Sequence, residues 1–480
     1  MTNPSTDPPP FPGPATGAAA RQSYRRLARR ASVRSALWVP GSAPTPARPP
    51  DLDLYDVLLD PEHPAFADLG RLLWTLVATQ WSWVDRRVDN VELSGERSIR
   101  RHMSIDCRVP PPVTDLADEV GFGRFFVPLR FVTTKQLLAF DLRLGDRSVP
   151  LLTRHQSAMA ANAVLRAAIE QAELEITPDV VAAIERVAAD DDPGAEAALQ
   201  LLELTEPGRV GVDATPAELA HWAVTTFDAN YLLLADVGLG ELRRRTIFKI
   251  TQEVGPALRE AHGLPLRSGI ALQPTSFVFD APSVTSTSSY HFQFDAPDGL
   301  VIAGGELFGA VADDPQRRSF GTSGTQGSVL GLHANNDDVP VADTYSAEVL
   351  VRPSPDGLLR SSAVSSTFST VLLFLAASLA HRISLSNLDD STALLLVLPG
   401  VVSTFLARPG EHYWVSRILR GVRALTLTNA IAVYIAAAAP VTGVADDSVR
   451  AVWLACALVS LVPTTLLLTA TRRGRPRGWS

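Results

Sequence analysis

With 480 residues, 46% of them hydrophobic and 20% charged, the chain is longer than one compact domain usually holds and too apolar to be wholly disordered. Two cysteines, Cys107 and Cys456, exclude a disulfide framework and a cysteine-rich zinc module. The net charge of −8 is unevenly spread: residues 1–50 carry seven arginines against Asp7, residues 361–480 ten arginines against five acids, and residues 51–360 carry 26 basic and 45 acidic groups. An acidic body argues against nucleic acid as a partner, since phosphates need a basic footprint, whereas the basic ends suit an anionic lipid leaflet.

In chain order, residues 1–50 read as a disordered Pro/Arg-rich arm. Within it, residues 21–38 place Tyr24, Leu27, Ala31 and Trp38 on one helical face. They read either as a solvated arm or as a basic amphipathic segment on the inner leaflet. Residues 51–262 read as a cytoplasmic α+β domain. Asp68–Trp83 has a helical stripe of Leu69, Leu72, Leu73, Leu76 and Val77. Strand-like alternation follows over Ser98–Arg108, Phe125–Thr133, Leu137–Leu144 and Val149–Leu152, which predicts a small antiparallel β unit over 90–152. From Arg154 the period turns helical, with helices expected at Ser157–Leu174, Pro178–Ala189, Ala195–Leu204 and Pro216–Phe227, the last resuming over Leu239–Ala261. Thr215 before Pro216 has the chemistry of an N-cap with proline at the first helical position. Asp190–Asp192 reads as a turn, without the alternating ligands of a calcium loop. Residues 263–357 return to strands at Gly269–Asp280, Ser286–Asp295, Gly299–Leu307, Ser328–Leu332 and Thr344–Val351, and predict a juxtamembrane β-sandwich-like domain.

Residues 361–471 contain four charge-free runs: Ser361–His381, Ser391–Ala407, Ala424–Ala445 and Ala451–Thr471. About 20 helical residues cross a bilayer core, so three runs meet the length. The second is shorter and contains Pro399, which allows a thin, kinked or re-entrant segment. Arg408, Arg417, Arg420 and Arg423 fill one loop, and Arg472, Arg473, Arg475 and Arg477 fill the basic tail 472–480, whereas the other two loops hold one arginine each. The positive-inside rule then puts both chain ends in the cytoplasm, as four spans require. The expected location is the inner membrane. None of the runs holds Asp, Glu, Lys or Arg, so the spans read as an anchor or an oligomerising bundle before a pump. Asn429 is expected to bond across helices.

Chemistry is sparse. No two of the nine histidines have the spacing of a metal-binding helix. His291 reads as a packed or edge residue of a strand and Cys107 as a small buried hydrophobe. The glycines of 321–327 lack the Gly-Lys-Ser/Thr of a phosphate loop and read as a flexible loop. No catalytic, cofactor-binding or metal-ligating residue is assigned, and no cofactor is expected.

The segments LLTRHQSAMAANAVLRAA (151–168) and SYHFQFDAPDGL (289–300), with the four-run tail, resemble a group of uncharacterised bacterial multipass membrane proteins with a large N-terminal soluble region. The resemblance implies that topology and no activity. The expected fold is therefore an α+β soluble region (small β unit, helical segment, β-sandwich) followed by a four-helix transmembrane bundle. The expected role is non-enzymatic binding, sensing or scaffolding. Its partners would be the lipid bilayer, a protein or small-molecule effector, and a second copy through the spans. The alternatives are an oligomeric channel or membrane-disrupting effector gated by the soluble region, and an enzyme whose residues are scattered along the chain.

Overall fold

The computed structural model describes residues 52–94, 98–133, 137–189, 194–205, 215–254, 270–311, 314–326, 328–340, 342, 344–379, 390–406, 413–442 and 446–473. The arm 1–50, the Asp190–Asp192 turn and the tail 474–480 lie outside these.

The body begins with α1 (Leu54–Leu59), α2 (Phe66–Ala78) and α3 (Gln80–Trp83). The expected stripe of α2 is buried, and Trp83 donates its indole N–H to the Leu76 carbonyl at 2.8 Å. Strands β1 (Val84–Ser94) and β2 (Ser98–Cys107) pair antiparallel. The proline run after β2 opens a helix, α4 (Pro111–Val120): its first prolines supply φ without needing an N–H partner, and Gly121 ends it at φ 99°. Then come β3 (Arg124–Thr133), β4 (Leu137–Leu144) and β5 (Arg147–Ser148).

Four helices follow: α5 (Arg154–Gln171), α6 (Pro178–Ala189), α7 (Gly194–Glu203) and α8 (Pro216–Ala229). Thr153 with Gln156 and Thr215 with Glu218 form reciprocal capping boxes at α5 and α8, satisfying orphan N–H groups at both ends of each pair. The expected helix over Leu239–Ala261 is overturned. The chain forms β6 (Asn230–Gly238), a single turn α9 (Leu239–Leu242) and β7 (Thr246–Val254). Thr246, Phe248, Ile250 and Gln252 point inward while Ile247, Lys249 and Thr251 face out, a period of two that β-branched and aromatic residues favour.

The later strands are β8 (Thr275–Asp280), β9 (Ser289–Asp295), β10 (Leu300–Val311), β11 (Asp314–Phe320), β12 (Thr322–Gln326), β13 (Val329–Asn335) and β14 (Thr344–Pro353). The segment expected as a flexible loop therefore contains a strand: Thr322–Gln326 pairs antiparallel with β13, so its backbone polar groups enter a ladder.

One mixed sheet of eight strands, in the order β12-β13-β9-β1-β2-β7-β4-β5, runs through the body. Its one parallel junction joins β1 to β9, from Arg86 opposite Ser289 to Glu92 opposite Asp295. The strands of 90–152 and those of 263–357 thus share a sheet, because pairing β1 with β2 leaves one edge of β1 open and β9 fills it. A second sheet has the order β11-β10-β14-β8, and β3 pairs with β6 in a third.

Two apolar cores lie against the large sheet. The first packs α2, α5, α6 and the β3–β6 pair against Met103, Ile105, Cys107, Phe248 and Ile250. The second lies between the four-stranded sheet and the β13-β9-β1 half of the large one, where Phe279 contacts Phe292 and Phe294 with ring centroids 5.6 Å apart. Gly305 of β10 passes so close to β13 that a Cβ there would fall 2.4 Å from Leu330 and 2.8 Å from the Glu348 carbonyl.

The tail holds α10 (Leu358–Leu379), α11 (Asp390–Leu406), α12 (Tyr413–Ile418), α13 (Arg420–Ala438) and α14 (Asp446–Arg473). Three helices are long and apolar enough to cross a membrane, over Leu358–Leu379, Arg420–Thr442 and Asp447–Arg472. The fourth expected span is not of that length among the described residues. α11 has 17 residues with Pro399 inside it, and proline removes a hydrogen bond and kinks a helix. The tail exposes large apolar side chains, Phe368 at 60% and Phe405 at 67%, and buries polar ones. Ser366 bonds Thr464 at 2.8 Å, Thr370 bonds Ser460 at 2.8 Å, and Ser460 donates to Asn429 across the helix pair, as expected for Asn429.

Candidate functional site

A part-open cavity of about 360 Å³ lies at the edge of the first core. Its wall is mainly apolar: Phe140 of β4, Leu151 and Leu152 ahead of α5, Ala158 and Ala161 on α5, and Leu233 and Leu234 on β6. The polar lining residues are Arg154 and Ser157, at the N-terminal end of α5, and Asn230 and Tyr231, at the start of β6. The sequence builds that end by giving α5 a Thr153–Gln156 capping box, which fixes where the helix starts and so where Arg154 sits. Ser157 is 8% exposed, and Asn230 donates to the Thr226 carbonyl at 3.0 Å. Burial, offset in part by Arg130, raises the Tyr231 phenol. A mainly apolar pocket of this size with a few polar groups in its lining suits a small amphipathic ligand.

A second feature is polar and lies in the seam between the two cores, under β1 and β2. Asp89 is 1% exposed and takes both arms of the Arg101 guanidinium, Nε at 2.6 Å. Tyr290 donates its hydroxyl to the same carboxylate at 3.1 Å. Burial alone would push the Asp89 carboxyl up, but Arg101 outweighs it and holds it below the usual carboxylate range. Arg87, 1% exposed, donates to the Leu129 carbonyl at 2.7 Å and to the Ser286 hydroxyl at 3.4 Å. Arg130 donates to the Phe131 carbonyl at 3.2 Å and lies 3.8 Å from the Met103 sulfur. Burial lowers Arg87 to about 10, and burial with repulsion from Arg101 lowers Arg130 to about 9. The seam joins strands from both halves of the chain, since Arg101 also donates to the Asp280 carbonyl at 2.9 Å.

A third cluster sits on the outer face of the sheet. His291 and His333 are cross-strand partners with ring centroids 4.4 Å apart, and the Nε2 of each lies 3.1 Å from the Ser289 hydroxyl. Burial, then Arg86 and His333, lower His291 to about 4, which leaves it a neutral imidazole. The pairing was invisible in the sequence, where 42 positions separate the two histidines and only the β9–β13 register brings them together.

Other singled-out residues stay apart from these features. Cys107 is fully buried, donates to the Thr246 carbonyl at 3.6 Å, and is pushed up to about 12 by burial, a small core residue and not a nucleophile. His102 bonds Thr251 at 3.1 Å and His221 bonds Thr205 at 3.0 Å. Among the described residues no three His, Cys, Asp or Glu side chains are grouped to hold a metal. The seam was missed because the charged stretch of β1 does not announce a strand in the sequence, and Arg87, Asp89 and Arg101 look like solvated residues until the strand faces are known. No protein-family model matches the chain, and no curated protein is similar to it.

Proposed function

We propose that the chain is a multipass protein of a bacterial inner membrane that binds a small amphipathic effector in its cytoplasmic body and signals that state to its spans without catalysis. The single observation that carries this reading is the second core. It takes side chains from the body and from the helical tail together: Phe277 and Val349 of the sheets pack with Leu359, Trp414, Leu419 and Leu467. The Phe277 and Trp414 rings meet edge to face at 6.0 Å. A ligand that tightens the first core acts on the eight-stranded sheet, and the same sheet forms one wall of the second core.

The topology has support of its own. The start of α10, the start of α13 and the end of α14 all lie against the body. Leu373, Ala437, Val449 and Trp453 gather in a separate cluster at the far end. These near ends are the ones flanked by the arginines of 408–423 and 472–477, which the positive-inside rule assigns to the cytoplasm. The chain leaves α10 at the far end and enters α13 at the near end, so α11 serves as the return pass and completes four spans. The two facing sheets then act as a β-sandwich-like platform on the inner leaflet.

The test is a thermal-shift screen of the full chain in detergent with fatty acids and other small amphiphiles, with Ala161→Trp as the cavity-filling control. A saturable stabilisation lost in the variant supports the reading. Turnover of a compound abolished by one substitution would replace it with an enzyme.

A further inference from the structure

The seam between the two cores holds more positive than negative charge. Arg101 and Asp89 neutralise one another, which leaves Arg87 and Arg130 with carbonyl, hydroxyl and thioether contacts that satisfy donors without balancing charge. Asp89 is the carboxylate that bears on all three guanidiniums among the described residues. A buried cation without a counter-charge is costly, and a folded chain keeps one where something offsets it. Two further polar atoms in the region are unpartnered: the Nε of Arg87 and the Oε1 of Gln252, on residues 1% and 3% exposed. Gln252 lies opposite Arg101 in the β2–β7 register.

We propose that this seam is a binding site for a small inorganic oxyanion of the phosphate or sulfate class, held by Arg87 and Arg130. A tetrahedral oxyanion presents acceptors in several directions and matches guanidinium donors arriving from two different strands. None of these residues lines the cavity, so the proposal is independent of the effector reading. Bound there, the anion ties β1 to β3 beside the Ser286 and Asp280 contacts that reach the juxtamembrane strands, and so braces the two cores against each other.

The experiment is a thermal unfolding series on the full chain in detergent, titrated with inorganic phosphate and with sulfate at constant ionic strength. The expected result is a saturable rise, about 5 °C at a hundredfold excess over Kd. Met103→Glu places an internal carboxylate beside Arg130 and is expected to raise the anion-free midpoint and abolish the response. Gln252→Glu serves the same purpose should Met103→Glu fail to fold, and the titration of the unsubstituted chain needs neither. A response that never saturates, or a saturable one undiminished in a folded Glu variant, overturns the proposal.

Discussion

Phe292 of the sheet body is 1% exposed and Phe405 of the helical tail 67%, although both sit in regular, well-formed elements. In the body alternate strand residues turn inward, and Tyr290, Phe292 and Phe294 meet the opposing sheet. In the tail Val364, Phe368, Leu458 and Val462 face outward, while Ser366, Thr370, Asn429, Ser460 and Thr464 occupy the centre. A tail built this way is stable where its surroundings are apolar, because helices in lipid gain more from close approach and shared hydrogen bonds than from burying leucine. Each region also keeps a polar interior, but of different kinds. The body's seam is ionic, whereas the bundle's column is neutral. Splitting an ionic pair leaves a buried charge, and splitting a hydroxyl pair leaves a dipole that can bond its own helix backbone.

The largest effect expected from that contrast lies at Arg101. Arg101→Met removes the bidentate donor of Asp89 and leaves the buried carboxylate with the Tyr290 hydroxyl as its hydrogen-bond donor and Arg130 acting on it through charge alone, and breaking a buried pair in this way costs about 3–5 kcal/mol. Adding Asp89→Leu also takes away the carboxylate that bears on Arg87 and Arg130, so the double variant is expected to be less stable than the single one. A double variant as stable as the single one in thermal unfolding would show that Asp89 does not offset those two arginines.

Glycine contacts sharpen the same comparison. In the body, a Cβ on Gly70 of α2 would lie 2.5 Å from the Ala163 backbone oxygen on α5, an atom that moves only if the helices separate. Gly70→Ala is expected to destabilise by about 1–3 kcal/mol. In the tail, a Cβ on Gly400 would meet the Tyr434 ring at 2.9 Å, and a partly exposed ring can rotate aside. Gly400→Ala should therefore cost less than Gly70→Ala, and the reverse order in urea or thermal unfolding would contradict the packing described.

The histidine pair makes the body, and not the bundle, sensitive to mild acid. His291 binds its proton near pH 4 in the fold and near 6.5 when unfolded, so between those values the unfolded chain holds more protons. Stability contributed at this site is full above about 6.5 and declines as pH falls toward 4. Partial exposure screens the effect, which leaves roughly 1–2 kcal/mol. His291→Gln should flatten the part of the pH–stability profile between 6.5 and 4 that the site contributes, and an unchanged slope would remove His291 from the account.

Much of the local structure was legible and little of the site. Pro178–Ala189 and Leu137–Leu144 matched residue for residue, because capping chemistry and alternation are written locally. Thr246–Val254 misled because its apolar residues fit a helical stripe as well as a strand until the partner strand is known. Asp314–Phe320 and Thr322–Gln326 carry too few apolar residues to announce strands, and gain their order from the neighbours they pair with. The cavity gathers residues from Phe140 to Leu234, the seam depends on contacts across more than a hundred positions, such as Arg87 with Ser286 and Asp89 with Tyr290, and no period in the sequence encodes them.

The smallest effect concerns the neutral column. Thr370 bonds the hydroxyls of both Ser460 and Thr464 at 2.8 Å, and also donates to its own helix at Ser366 at 2.9 Å. That second acceptor is what makes the column tolerant: a hydroxyl that loses its cross-helix partner keeps a backbone carbonyl one turn away. Thr370→Val is expected to cost about 0.6 kcal/mol, with a coupling of similar size to Ser460→Ala in the double-mutant cycle. Asn429 is less well placed, since its Nδ2 is unpartnered while its Oδ1 accepts from Ser460. Ser460→Ala strands both polar atoms of that side chain, so it should cost more than Thr370→Val. Detergent unfolding that ranked the two the other way would show that the column's stability comes from helix packing, with Asn429 bystanding.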